Sequence, residues 1–369
     1  MTDRFKYVLC LWITCIVPVY SVGQEAATIV PWVAGSTFHT GFLMNHHYNM
    51  RIMNEQAPYA FELYLAKRTG GEKAWQSFYR NPLYGVSYMM FDMGSPTYLG
   101  KSHSVYPFIQ FYLTNVDRAV SLNMRFGAGI AYMEKIFDRF DNYKNMAIST
   151  HFNAALCLRM EGKLRVAAPL YLSGGWAFTH MSNGTIKKPN AGLNFVTAYA
   201  GASYAFGKEK TVVRTDTARD EIDRTWHYTV YLSGGVKTYS IFDNKKYAAS
   251  GLSLEASRSH LAFTRFSGIL EIFYDASDYA SLVRNEVEAR KIQTVKPGLA
   301  AGYSFLFGEL SAHVHVGRYI YAKSHNNGLM YQRLALRYLV TNRLNVHLGL
   351  KTHLGQADYV EFSIGYRIR

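Results

Sequence analysis

The feature that most constrains this chain is a period-two alternation of apolar and polar residues, repeated from about Thr37 to the last residue with turn signals between the runs. In one run Val120, Leu122, Met124, Phe126, Ala128, Ile130 and Tyr132 alternate with Ser121, Asn123, Arg125, Gly127 and Gly129. Near the end Leu344, Val346, Leu348, Leu350 and Leu354 oppose Asn345, His347, Gly349, Lys351 and His353. The last run sets Val360, Phe362, Ile364, Tyr366 and Ile368 against Glu361, Ser363, Gly365, Arg367 and Arg369. A strand points successive side chains to opposite faces, so each run has one apolar wall and one polar wall. An antiparallel transmembrane β-barrel, with lipid outside and water inside, demands that arrangement.

Composition agrees. The chain holds 29 Tyr, 22 Phe and 29 Gly in 369 residues, yet its mean hydropathy is only −0.10. Barrel strands dilute the hydropathy signal in this way, although composition alone also admits a soluble sandwich. Met1 to Lys6 are basic, Tyr7 to Val19 are apolar, and Ser21-Val22-Gly23 offers small residues for cleavage. Residues 1–23 therefore read as a signal peptide, with Gln24 the first mature residue. After it no apolar run reaches the roughly 18 residues that a spanning helix needs. Cys10 and Cys15 fall in the signal, which leaves Cys157 alone and no disulfide framework. A net charge of +14 suits a surface facing anionic lipid or phosphorylated glycolipid, and export makes nucleic acid an improbable partner.

Counting alternating runs gives about 16 strands, with about 14 the next count. Tight connections are expected at Asn115–Arg118, Glu161–Lys163, Phe307–Glu309 and Thr341–Arg343, and long loops at Asn45–Pro58, Lys135–Asn145, Asn183–Gly192 and Ala276–Val295. Short periplasmic turns and long outer loops are the usual asymmetry, which puts both termini in the periplasm. The charged stretch 208–224 breaks the pattern and reads as a linker. Two organisations stay open: one large barrel over 24–369, or an eight-stranded unit up to Gly207 followed by a second β-unit in 225–369. Tyr171-Leu172-Ser173-Gly174-Gly175 recurs as Tyr231-Leu232-Ser233-Gly234-Gly235 and hints at duplication, but Ser240 stands where His180 would align.

The stretch that carries chemistry is His180-Met181-Ser182-Asn183. Residues two apart on a strand share a face, so an imidazole stands beside a hydroxyl, a base beside a nucleophile. Their face continues upstream through Val166, Ala168, Leu170, Leu172, Gly174, Trp176 and Phe178, an apolar stripe that should touch lipid. Polar groups there are costly and need a reason. In most proteins a His-x-Ser pair is only two polar residues near a turn; the lipid-facing setting is what sets this one apart. His46-His47 would be a metal pair only if both rings faced one way, which adjacent strand residues do not. His313 and His315 share a face and read as lumen lining. No metal or cofactor is implied.

The segment from His180 to Asn194 resembles the active-site segment of the PagL-type lipid A deacylases, outer-membrane barrels that cut ester-linked acyl chains from lipopolysaccharide. The shared pattern is His-x-Ser-Asn, a Lys, then Pro-Asn-x-Gly, here His180, Ser182, Asn183, Lys188, Pro189, Asn190 and Gly192. The resemblance implies a serine esterase in the outer membrane with lipid A as substrate, Ser182 as nucleophile, His180 as base, and Asn190 with nearby amides stabilising the oxyanion. Asn183 matches a residue on which the family's activity depends. Apart from the resemblance, the Lys187-Lys188 pair reads either as a holder of a lipid A phosphate near the scissile ester or as a solvated basic loop tip. Residues 24–207 form the deacylase-like part on this reading, and 225–369 are additional strands.

One departure matters. Where well-known family members carry a glutamate that orients the histidine, this chain has Asn194. An amide oxygen still accepts the Nδ1 proton and fixes the tautomer, but it does not neutralise an imidazolium. Either the reaction is slower, or a carboxylate such as Glu134 or Asp138 supplies the charge. Two other readings compete with the esterase: a porin or transport barrel, suggested by polar inward residues such as Asn123, Arg125 and Arg333, and an inactive lipopolysaccharide-binding barrel.

Overall fold

A computed structural model of the chain describes residues 26–115, 118–213, 222–242, 245–324 and 328–368. The expected signal peptide at 1–23, Val116 and Asp117 of one expected turn, and residues 214–221 of the charged connection lie outside them.

Sixteen long strands close into two antiparallel barrels of eight, not into one of sixteen. Barrel 1 comprises β2 (Trp32–Leu43), β3 (Tyr59–Arg68), β4 (Leu83–Asp92), β5 (Lys101–Tyr112), β6 (Val120–Met133), β7 (Phe152–Ala167), β8 (Leu170–Ser182) and β9 (Leu193–Phe206). It closes where β2 pairs with β9, Leu43 opposite Phe195 and Trp32 opposite Phe206. Barrel 2 comprises β11 (His227–Thr238), β12 (Lys246–Leu261), β13 (Thr264–Asp275), β14 (Lys296–Phe307), β15 (Leu310–Tyr319), β16 (Met330–Leu339), β17 (Leu344–His353) and β18 (Gln356–Arg367). It closes where β11 pairs with β18, Thr229 opposite Arg367. Two short strands, β1 (Ala26–Ile29) and β10 (Lys210–Val213), pair with each other. The two barrels correspond to the two compact units of the chain, and Gly184–Lys188 group with the second.

The alternation sorts as its chemistry requires. Along β6, Val120, Leu122, Phe126 and Ile130 are exposed on the outer wall, while Ser121, Asn123 and Arg125 are buried inside. Eight strands leave a lumen just wide enough for side chains to fill. In barrel 1 Arg159 Nη1 lies 2.6 Å from Glu62 Oε2 and Arg125 Nη1 3.4 Å from Oε1. Arg333 lies between Glu271 at 2.6 Å and Glu361 at 2.5 Å in barrel 2, and Arg337 makes two bonds to Glu255. Buried ions persist when they are paired, and in both lumens the arginines face glutamates. Packed ion pairs fill the space that a porin keeps as a channel, so the polar inward faces mark plugged lumens.

One expected turn is wrong. Glu161-Gly162-Lys163 sits inside β7, and the chain reverses at Ala168-Pro169 instead. Glu161 accepts from Gln110 Nε2 and Asn123 Nδ2, both at 3.1 Å, so its side chain is bound into the lumen as a strand residue. Val166 and Ala168 therefore precede β8 and do not belong to its stripe. The loop after β6 runs on to His151, beyond the expected Asn145, and the 69–82 connection on the turn side is long enough to hold α1 (Ala74–Phe78). The loops 44–58, 183–192 and 276–295, the last carrying α2 (Ala276–Arg284), and the turns 308–309 and 340–343 fall where expected.

Candidate active site

β8 and β9 build the site. On β8, Leu170, Leu172 and Trp176 are exposed while Ala177, Thr179 and Met181 are buried inside, so His180 and Ser182 stand on the outer wall at the strand's end. The antiparallel register sets His180 directly opposite Asn194. Directly opposed residues are the contacting pairs of a sheet. His180 Nδ1 is 2.6 Å from Asn194 Oδ1, and its Nε2 is 3.0 Å from Ser182 Oγ. An acceptor at Nδ1 keeps the proton there and leaves the Nε2 lone pair to face the hydroxyl, which is the tautomer a general base needs.

The strand ends because Gly184 and Thr185 take positive φ, +60° and +66°, and Gly192 (φ +77°) starts the return. A Cβ on Gly192 would stand 3.1 Å from His180 Cε1, so the glycine is required both by its backbone and by the imidazole. Ala191 N and Gly192 N donate to the carbonyls of Met146 (3.2 Å) and Ala147 (3.0 Å) in the 134–151 loop. Asn145 shapes that loop, its Oδ1 accepting from Ala147 N and Ile148 N and its Nδ2 donating to Tyr98 O.

Asn183 and Asn190 brace the serine from its C-terminal side. Asn183 N donates to Asn190 Oδ1 at 3.1 Å, and Asn183 Nδ2 donates to Ser149 Oγ (3.1 Å) and Thr150 Oγ1 (3.2 Å). With its oxygen engaged, Asn190 keeps the Nδ2–H group as its donor half. Ser182 and Asn183 are each only 5% exposed, so the Ser182 hydroxyl lies in a crevice of the wall.

Other expected residues lie apart. Glu134 Oε2 accepts from Lys101 N at 2.7 Å and Asp138 from the amides of Phe140 and Asp141, whereas His180 is partnered by Asn194 and Ser182. Lys187 and Lys188 belong with the second unit. There Lys188 borders a cavity of about 100 Å3 together with Lys237, Asp278 and Asp358. Burial, aided by Lys237, pushes its ammonium below the ordinary lysine range. His313 sits buried between Ser304 and Ser311, bonded to each at 2.7 Å, as a lumen residue.

The sequence offers His46 only as half of a metal pair, yet its ring joins the site. Its ring is 3.2 Å from Asn194 Nδ2 and 3.0 Å from the Ala191 carbonyl. Nothing in the local sequence points to this, since barrel closure brings His46 to a residue 148 positions away.

Closed barrels with apolar walls and ion-paired lumens define an outer-membrane β-barrel protein. Residues 59–203 match the family model of the lipid A 3-O-deacylase (PagL), and residues 226–369 match that of the acyloxyacyl hydrolase C-terminal domain. The chain belongs to the PagL-type lipid A deacylases and is an ester hydrolase. No curated protein matches it. Among solved structures, Neisserial surface protein A is similar at 12% identity and a TM-score of 0.33, over 49% of this chain and 99% of its own. A Rhodopseudomonas blastica porin triple mutant is similar at 7% identity and a TM-score of 0.18, over 93% and 100%. For Omp33 of Acinetobacter baumannii the values are 6% and 0.17, over 92% and 99%.

Proposed function

We propose that barrel 1 hydrolyses an ester-linked acyl chain of lipid A through Ser182, His180 and Asn194 on its lipid-facing wall. The supporting observation is the run of two hydrogen bonds from Asn194 Oδ1 through the imidazole to Ser182 Oγ. Ser182 Oγ attacks the ester carbonyl as His180 Nε2 takes its proton, and the sugar oxygen leaves with that proton. Water, deprotonated by the same Nε2, then attacks the acyl-serine. The fatty acid departs and Ser182 recovers its hydrogen. Asn190 Nδ2 serves as a donor to the oxyanion, and the stripe of Leu170, Leu172, Trp176 and Phe178 receives the acyl chain, so substrate arrives by lateral diffusion in the outer leaflet.

Mass spectrometry of lipid A tests this. Cells making the wild-type protein should yield lipid A short by one acyl chain, and cells making Ser182→Ala should yield the full-length form. Equal shortening in both would refute the assignment.

A further inference from the structure

We propose that His46 is a positioning residue for this reaction: it fixes which end of the Asn194 amide faces His180. The inference rests on the Ser182–His180–Asn194 reading above. An asparagine differs from a carboxylate in having a wrong end. Turned one way, Oδ1 accepts from His180 Nδ1–H and leaves Nε2 as a base. Turned the other way, Nδ2–H donates to Nδ1, the ring proton moves to Nε2, and the imidazole donates to Ser182 instead of accepting from it. An amide in the wrong sense at such a position costs about 10⁴ in rate.

The bonds around His46 remove that ambiguity. A backbone carbonyl only accepts, so the 3.0 Å contact between His46 Nε2 and Ala191 O places the ring proton on Nε2. A neutral His46 then offers Nδ1 as a lone pair, and the group 3.2 Å away must be a donor, the Asn194 Nδ2–H. That turns Oδ1 toward His180 at 2.6 Å. The chain of bonds therefore runs in one sense from the Ala191 carbonyl through His46, Asn194 and His180 to Ser182. The Met44 carbonyl, 3.2 Å from His46 Nδ1, already accepts from His46 N at 3.1 Å, so it does not call for a ring proton on Nδ1, which would remove the acceptor Asn194 needs.

Backbone structure holds His46 in place. Met44 N donates to Asn194 O at 2.8 Å where β2 meets β9, and His46 lies two residues past Met44. A glutamate or aspartate accepts with either oxygen and would need no such partner, so His46 compensates for the departure at Asn194.

The test is a double-mutant cycle on the full-length protein, with fatty-acid release measured from lipopolysaccharide in mixed micelles. His46→Ala should lower kcat about tenfold, the orientational value of one hydrogen bond, with KM unchanged. In an Asn194→Asp background, where both ends of the side chain accept, the same substitution should cost less than about twofold. A His46→Ala protein as fast as wild type, or an equal loss in both backgrounds, would overturn the proposal, the latter by showing that His46 only packs the loop. Ser182→Ala is the control for the underlying reading: a Ser182→Ala protein that keeps its activity sinks the site itself, whereas a dead Ser182→Ala beside an unaffected His46→Ala sinks only the role of His46.

Discussion

In barrel 1 Arg125 and Arg159 hold Glu62, and in barrel 2 Arg333 and Arg337 hold Glu271, Glu361 and Glu255, so the two lumens are filled by the same device. The outer walls are where the barrels part. β8 carries an imidazole and a hydroxyl at the end of its apolar stripe, while β11, which repeats the Tyr-Leu-Ser-Gly-Gly run with Tyr231 inside and Leu232 outside, ends at Thr238. The repeated pentapeptide stands on the seventh strand of barrel 1 and the first of barrel 2, so it reflects a shared strand chemistry and not equivalent positions. With the catalytic reading proposed above, the contrast teaches that architecture and chemistry divide between the two faces of the same strands: inward residues set closure and stability, and a few outward ones would set chemistry.

The sharpest way to break that contrast is to remove the outward pair. Ser182→Ala and His180→Ala should each lower deacylation at least about 10³-fold with both barrels folded, and the double variant should be no worse than either, because the two act as one unit. Steady-state rates on purified protein check this.

Inward substitutions should show the opposite signature. Glu62→Ala strands two buried guanidinium groups, and Glu271→Ala removes a partner of Arg333 and of the Tyr331 hydroxyl, each costing about 3–5 kcal/mol of stability. Unfolding in denaturant should shift markedly for both. Glu271→Ala, in barrel 2, should leave the rate of the folded enzyme within about twofold; a large loss of kcat there would mean that barrel 2 takes part in the chemistry.

Smaller effects sharpen the geometry at the serine. Gly192→Ala forces a methyl into a left-handed backbone position 3.1 Å from His180 Cε1 and should slow the reaction about tenfold and lower stability by about 1–2 kcal/mol. Asn194→Glu should raise the plateau rate a fewfold. A carboxylate beside His180 favours the imidazolium, so the acid limb of the pH–rate profile should move to higher pH. An unchanged profile would show that the new side chain does not face the imidazole.

Much of this was legible in the sequence because alternation reports faces directly. The walls of β6, β17 and β18 follow the pattern residue for residue, and the two-residue spacing of His180 and Ser182 already put them on one face. Closure was not legible. The pairings of β2 with β9 and of β11 with β18 leave no local trace, which is why one barrel of sixteen strands and two of eight read alike. The Glu161-Gly162-Lys163 turn was misplaced because Gly-Lys next to an acid looks like a hairpin when the lumen bonds of Glu161 are unseen. The role of His46 is hidden in the sequence for the same reason as closure: its partner Asn194 lies across the seam.

The most direct measurement is to label the full-length protein with an alkyl fluorophosphonate and map the adduct by peptide mass spectrometry. The account predicts a single phosphonylated residue, Ser182, with labelling lost in His180→Ala and barrel 2 unmarked. An adduct on a barrel 2 serine, or labelling of Ser182 that persists at full rate without His180, would contradict it.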